Sequence, residues 1–359
     1  MNLKSVLLPS LLFAGLSSVS VVFANDMFVS SEMEPVPLGS VENYWTEERM
    51  KNAKPYPNMI EDEEPNLLAA DNIASLADGE PGTFPGSAPK VSKALLRKIL
   101  RSTASDTEAF DIQEEPSPLG YTYPFPFTRF YVLTSLYSTY PYKTIGKVFF
   151  TEAGANYVCS GSSIGGRAVL TAGHCVCNGN KVWHTNWTFV PAYRDNSRPY
   201  GTWAAESLTT FADYLNYKKP CRDVGFAVTK YNSSGQKLSS VVGSLGFAWN
   251  FNVAQVHWNS FGYPAESPFN GRKLVECQAS HAVSDSPGGC TPATIGIGCD
   301  MTGGSSGGPW IKNFNSSVSG MYNYANGLNS YGYSTQPGAM YSPYFDTEVK
   351  KLRDLVVVK

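Results

Sequence analysis

Two adjacent serines lie among four glycines in Cys299-Asp300-Met301-Thr302-Gly303-Gly304-Ser305-Ser306-Gly307-Gly308-Pro309-Trp310. Glycine carries no β-carbon and accepts positive φ, so such a loop lets its backbone approach a bound ligand closely. That setting suits an exposed nucleophile, Ser306. Its attack on a carbonyl creates an oxyanion that fixed donors must meet at once. The backbone N–H groups of Gly304 and Ser306 are placed to supply two, each contributing about 3 kcal/mol. A serine hydroxyl also needs a base, and histidine titrates near the useful pH. The chain has four: His174, His184, His257 and His281. His174 ends the apolar run Val169-Leu170-Thr171-Ala172-Gly173-His174, whereas His184 and His257 each adjoin a tryptophan and read as packing residues. A carboxylate must then hold the imidazole tautomer. Asp223 opens Asp223-Val224-Gly225-Phe226-Ala227-Val228, an acid at the mouth of an apolar strand, which is costly unless the acid has a partner. Its rival, Asp213, is followed by no such strand.

Strands must hold these groups in place. Ile145 to Phe150, Tyr157 to Ser163 and Arg167 to Ala172 read as consecutive strands, and Phe189 to Tyr193 and Pro199 to Trp203 flank a turn at Asp195-Asn196. Further on, Val253 to Trp258, Leu274 to Ala279, Trp310 to Asn313 and Val318 to Tyr324 are strand candidates, with the serine loop between the second and third. Asp346 can cap a closing helix whose apolar positions Val349, Leu352 and Val356 recur at spacings of three and four.

Thr171-Ala172-Gly173-His174-Cys175, Asp223-Val224-Gly225-Phe226-Ala227 and Gly304-Ser305-Ser306-Gly307-Gly308-Pro309 together resemble the three signature blocks of chymotrypsin-like serine endopeptidases. The order His, Asp, Ser matches, and the α/β-hydrolases, which share the Gly-x-Ser-x-Gly elbow, need a histidine after the serine that this chain lacks. The resemblance covers about 140–359 and is nearest to the glutamyl endopeptidase branch. It implies an all-β fold of two packed six-stranded antiparallel barrels with a C-terminal helix. It also implies peptide-bond hydrolysis through His174, Asp223 and Ser306, with protein or peptide substrates and no cofactor or metal. Cys159 and Cys175 resemble the family's bridge beside the catalytic base. Cys177 with Cys221 and Cys277 with Cys299 are the next pairings expected, leaving Cys290 odd. The alternative, a non-catalytic binding protein on the same scaffold, is usually marked by a lost triad residue, and none is lost here. An esterase with the same triad is a third reading.

Residues 1–24 read as a signal peptide, with Lys4, an apolar run and Val22-Phe23-Ala24 as a cleavage site. Seven cysteines, all between 159 and 299, behind an export signal read as disulfides of a secreted protein. Charge is only 16% of the chain while Gly, Pro and Tyr number 32, 24 and 21, as suits a loop-rich β protein. Cys175-Val176-Cys177 is a weak zinc spacing in an exported chain. No dense basic run outside the leader supports nucleic-acid binding.

Charge divides the chain. Residues 25–115 hold 18 acids and 8 bases, a net of −10, whereas 116–359 hold 12 acids and 19 bases, a net of +7. An acidic leader ahead of a basic module reads as a pro-segment, 25–115, that inhibits or helps fold the module 116–359 and makes the chain a zymogen. Tyr44-Trp45-Thr46-Glu47-Glu48-Arg49-Met50 resembles the pro-region motif of this branch. An amphipathic helix over 91–101 with a basic side suggests a mature start between Arg101 and about Tyr123.

Three positions depart from the trypsin pattern. Ser305 stands where an aspartate pairs with the new amino terminus, so the trypsinogen switch is not expected. Asp300, six residues before Ser306, matches the acid that binds Arg or Lys in trypsins, unless it is bound up locally. Tyr322 stands where the glutamyl branch is expected to place its pocket histidine.

Overall fold

The computed structural model describes residues 21–25, 27–34, 39–68, 79–89, 123–316 and 322–358. Among the described residues, twenty strands and a few short helices make up a chymotrypsin-like, mostly β fold. In the leader, β1 spans Val21–Asn25, β2 Phe28–Glu32, β3 Lys54–Pro55, β4 Met59–Ile60 and β5 Gly82–Phe84. The module begins with β6 (Thr128–Tyr131) and continues with β7 (Ile145–Glu152), β8 (Ala155–Gly165), β9 (Ala168–Thr171), β10 (Thr185–Pro191), β11 (Trp203–Phe211) and β12 (Gly225–Thr229). Its second half holds β13 (Gly246–Trp249), β14 (His257–Gly262), β15 (Val275–Asp285), β16 (Thr294–Gly298), β17 (Pro309–Lys312), β18 (Tyr324–Leu328), β19 (Gly332–Tyr333) and β20 (Ala339–Ser342).

The first barrel closes. Strands β11, β10, β7, β8, β9 and β12 pair in that order and β12 returns to β11, all antiparallel. Seven of the eight residues of β7 are buried, as expected of a β-branched and aromatic strand with apolar neighbours on both faces. Val148, Phe149, Val169, Leu170, Phe189 and Phe226 are fully buried there, and each such side chain contributes roughly 1.5–3 kcal/mol.

The second half forms one path, β20-β16-β15-β14-β17-β18-β13, packed on a core with Trp258, Ile295, Ile297, Trp310 and Met340. Beyond β18 the chain returns to β20 through an antiparallel bridge, in which the Tyr341 N–H donates to the Tyr331 carbonyl at 2.8 Å and the Ser330 N–H donates to the Tyr341 carbonyl at 2.9 Å. β13 pairs in parallel with β18, and its other edge is taken by leader strand β5. The helix Thr347–Val357 follows as read, with Asp346 accepting from the Val349 N–H at 2.9 Å and Val349, Leu352 and Val356 buried. Asp346 also pairs with Arg222 at 2.7 Å, tying the helix to the turn before β12.

The described leader is ordered against the module. β1 pairs with β2 and overlaps the end of the 1–24 segment, while β2 adds to the outer edge of β11. Trp45 and Met50 are each 1% exposed, and Thr46 caps the helix Glu47–Asn52 by accepting from the Arg49 N–H. β3 then pairs in parallel with β8, and β4 in parallel with β19. The expected helix over 91–101 and the expected maturation bond lie outside the described residues.

Three disulfides join Cys159 to Cys175, Cys221 to Cys290 and Cys277 to Cys299. The pairing of Cys177 with Cys221 is therefore corrected. Cys221 lies at the foot of the turn before β12, facing the loop after β15 that carries Cys290, while Cys177 is the buried free thiol.

Candidate active site

β9 ends at Thr171 and the chain tightens into a short 3-10 turn, Gly173–Cys175, which presents His174 between the two halves. His174 Nδ1 lies 2.8 Å from Asp223 Oδ2, and the His174 backbone N–H donates to Asp223 Oδ1 at 2.8 Å. Gly173 makes this approach possible, since a β-carbon there would sit 2.9 Å from Asp223 Oδ1 and 2.8 Å from the Tyr214 ring. Asp223 is fixed by the turn Pro220–Arg222 and accepts a third hydrogen bond, at 2.5 Å, from Ser330 Oγ. Burial pulls the Asp223 carboxyl upward, but the His174 charge and these hydrogen bonds outweigh it and hold the carboxyl below its ordinary range. Asp213 is settled as a surface residue, since it pairs with Lys219 at 2.8 Å and both are about half exposed.

Ser306 is fully buried between the halves. Its carbonyl accepts from the Ser160 N–H at 2.7 Å and lies 3.6 Å from the Cys175 sulfur, next to the histidine. Gly307 follows at φ 79°, and a β-carbon there would meet Thr171 Oγ1 at 2.2 Å and the Ala172 nitrogen at 2.6 Å. Only glycine lets the serine loop press so closely on the end of β9. His174 Nε2 and Ser306 Oγ are both buried, and neither has a hydrogen-bond partner among the described residues. Such bonds are often long until substrate binds.

The loop is pinned from behind. Ser160 Oγ donates to the Gly304 carbonyl at 2.9 Å and accepts from the Tyr263 N–H at 2.9 Å, while the Ala265 N–H donates to the Gly303 carbonyl at 2.7 Å. Asn329 donates through Nδ2 to the carbonyls of Phe261 and Ser305 and accepts at Oδ1 from Ser260 Oγ and Trp310 Nε1. With their carbonyls fixed and no backbone acceptor engaging them among the described residues, the N–H groups of Gly304 and Ser306 remain available. Ser305 forms no ion pair; its hydroxyl donates to the Thr302 carbonyl at 2.8 Å.

The other predicted residues fall outside this constellation. Asp300 pairs with Arg129 Nε at 3.2 Å, and Arg129 lies over the Phe269 ring, so the carboxylate already has a cation. Tyr322 is 42% exposed at the turn before β18 and does not line the cavity beside His174. Sequence reasoning missed Ser330, Ser160 and Asn329, and it underrated His184. That residue is fully buried, stacks on Phe150 at 4.2 Å, and its Nε2–H donates to the His174 carbonyl at 3.0 Å. Cys159, His174 and Cys175 are clustered closely enough to suggest metal ligands, but both sulfurs are committed to the disulfide, so this donor set does not fit an ion.

A cavity of about 430 Å³ beside His174 is lined by Asp223, Ser330 and Tyr331 together with Tyr56 to Ile60 of the leader. Tyr56 lies face to face with the His174 ring, with centroids 5.8 Å apart. The Gly332 N–H donates to the Asn58 carbonyl at 3.0 Å, and Pro55 abuts Gly303.

Known proteins share the fold of this chain. The chain is 41% identical to the protease Anisep from Arthrobacter nicotinovorans, covering 62% of this chain and 99% of that one with a TM-score of 0.54. It is 34% identical to AL20, a thermostable serine protease from an extremophilic microorganism, covering 61% and 99% with a TM-score of 0.54. A Glu endopeptidase structure, 18% identical over 64% of this chain and 97% of its own (TM-score 0.51), shares the fold. Among curated proteins, a Bacillus subtilis (strain 168) protein described as an extracellular metalloprotease is 25% identical over 136 residues, which is 37% of this chain and 42% of that protein's length. Residues 137–356, more than half of the chain, match the Trypsin family, and the chain belongs to that family of serine proteases.

Proposed function

We propose that the chain is a secreted serine endopeptidase made as a zymogen, with 116–359 as the catalytic module and 25–115 as its pro-segment. His174 takes the Ser306 proton as the hydroxyl attacks the peptide carbonyl, then returns it to the leaving amine. Asp223 keeps Nδ1 protonated and stabilises the imidazolium, and Ser330 holds the carboxylate in place. The N–H groups of Gly304 and Ser306 receive the oxyanion, and water then releases the acyl group by the same route. The observation that carries this reading is the His174–Asp223 pair, whose buried Nε2 has no partner among the described residues, together with the equally unpartnered hydroxyl of Ser306, whose carbonyl lies against Cys175 next to the histidine.

The inhibitory role of the leader rests on its path. It pairs with β8 on one side of the cleft and β19 on the other, and Tyr56 covers the histidine between them. Three disulfides favour an oxidising compartment, which supports secretion. The pairing of Asp300 with Arg129 argues against a trypsin-like preference for basic residues. Casein hydrolysis by the processed chain tests the proposal. Activity that Ser306→Ala abolishes supports it, and a processed wild-type chain with no hydrolysis points to the non-catalytic scaffold.

A further inference from the structure

One side chain in the cleft sits in a surround built for its own chemistry. The Tyr56 N–H donates to the Val158 carbonyl at 3.2 Å, which sends the ring in beside His174. Its centroid lies 5.1 Å from Tyr157, 5.3 Å from Phe150 and 5.3 Å from His184, in addition to the stacked contact with His174. The far wall is firm, since Phe150 and His184 are fully buried, stack on each other and are anchored by the His184 bond to the His174 carbonyl. At the outer end stands Glu152, which lines the same cavity as Tyr56. Burial, and then Glu152 as acceptor and neighbouring charge, hold the Tyr56 phenol well above its ordinary range, so the hydroxyl keeps its proton and can donate it to the carboxylate. Four aromatic faces and one acceptor match a phenol at both ends. All four of these aromatic residues, and Glu152, belong to the catalytic module, so the groove remains when the leader departs.

We propose that this groove is a side-chain subsite of the processed enzyme that takes a substrate tyrosine close to the scissile bond, with Glu152 reading the phenol hydroxyl. In the zymogen the leader's Tyr56 occupies it. The inference rests on the endopeptidase reading and deepens it by naming a substrate class. A site that hydrogen-bonds a substrate hydroxyl discriminates against the analogue lacking it, because the acceptor, here the half-buried Glu152, loses that bond. Aromatic contacts alone would treat tyrosine and phenylalanine nearly alike.

The test uses processed enzyme and a set of internally quenched peptides. Tyrosine, phenylalanine or alanine is placed in turn at each of the three positions on either side of the cleaved bond, and kcat/KM is compared within each enzyme. At one position tyrosine should exceed phenylalanine by about tenfold or more. With Glu152→Ala the tyrosine-to-phenylalanine ratio at that position should fall towards one while both still exceed alanine. The ratio is internal to each enzyme, so a general loss of activity does not alter it. Hydrolysis of the whole set with no tyrosine preference anywhere, or a ratio unchanged by Glu152→Ala, overturns the subsite alone. A wild-type enzyme that cleaves none of the set overturns the endopeptidase reading, and the subsite falls with it.

Discussion

Replacing Trp45 with alanine should unlatch the leader from the closed site. Trp45 is 1% exposed, its Nε1–H donates to the Asn186 carbonyl at 2.6 Å, and its ring lies 5.4 Å from Phe149 on β7. Truncating so large a buried side chain costs about 3–5 kcal/mol, from lost burial and the cavity left behind. The Asn186 carbonyl also loses its donor, although it can regain water once the leader lifts. Since about 1.4 kcal/mol is a factor of ten, the equilibrium between docked and undocked leader should shift by roughly 10²-fold to several thousandfold. The assay is the rate at which a fluorophosphonate labels Ser306 in the intact, unprocessed chain, which reports the fraction of molecules with an open cleft. The variant should label faster by that factor, up to the rate of processed enzyme, whereas Glu48→Ala, an exposed leader position, should leave the rate at the wild-type value. Equal rates for Trp45→Ala and wild type, or an intact wild-type chain that labels as fast as processed enzyme, would refute the reasoning.

Other expectations follow from the same structure. Burial pushes His184 and His281 down to about 4, so both stay neutral in the fold while the unfolded chain protonates them near 6.5. The unfolded state then binds more protons between those values, and stability should fall as pH drops from 6.5 to 4, by about 3 kcal/mol per histidine; urea unfolding at pH 7 and pH 4.5 should show a smaller loss for His281→Gln than for wild type. Removing the Cys221–Cys290 bridge, whose partners are 69 residues apart, with a double serine variant should cost about 4 kcal/mol in the same assay. Cys177→Ser should leave all three bridges intact by peptide mapping. Ser330→Ala removes one of three hydrogen bonds to Asp223, and kcat/KM should fall about tenfold through kcat rather than KM. Asp300→Ala should leave the ratio of arginyl to alanyl substrate hydrolysis unchanged; collapse of a strong arginyl preference would mean that the carboxylate faces substrate rather than Arg129.

Much of the site was legible because its signals are local. A strand that ends at His174, an acid opening a strand at Asp223 and a glycine-rich loop around Ser306 each follow from residues next to one another in sequence. The preference for Asp223 over Asp213 came from the strand after it; in the structure Asp223 pairs with His174 and Asp213 with Lys219. Ser330 and His184 were not legible in these roles, because packing of the two halves brings Ser330 to the back of Asp223, and the fold of the loop between β9 and β10 brings His184 beneath the His174 carbonyl. Pairing of Cys221 with Cys290 failed for the same reason, since it depends on a turn and a distant loop meeting in space. The leader's acidity and its tryptophan motif suggested a partner for the module, but β3 and β4 are two-residue parallel pairings, too short to leave a periodic pattern. The leader strand on the edge of β13 was not legible either, since β5 is only three residues long and leaves no periodic pattern.

The most direct measurement of the central claim is the mass of the processed chain quenched in acid during turnover of an ester or peptide substrate. An acyl adduct mapped to Ser306, absent from Ser306→Ala and strongly reduced in His174→Ala, is the predicted result. Undiminished turnover by Ser306→Ala, or an adduct on another residue, would contradict it.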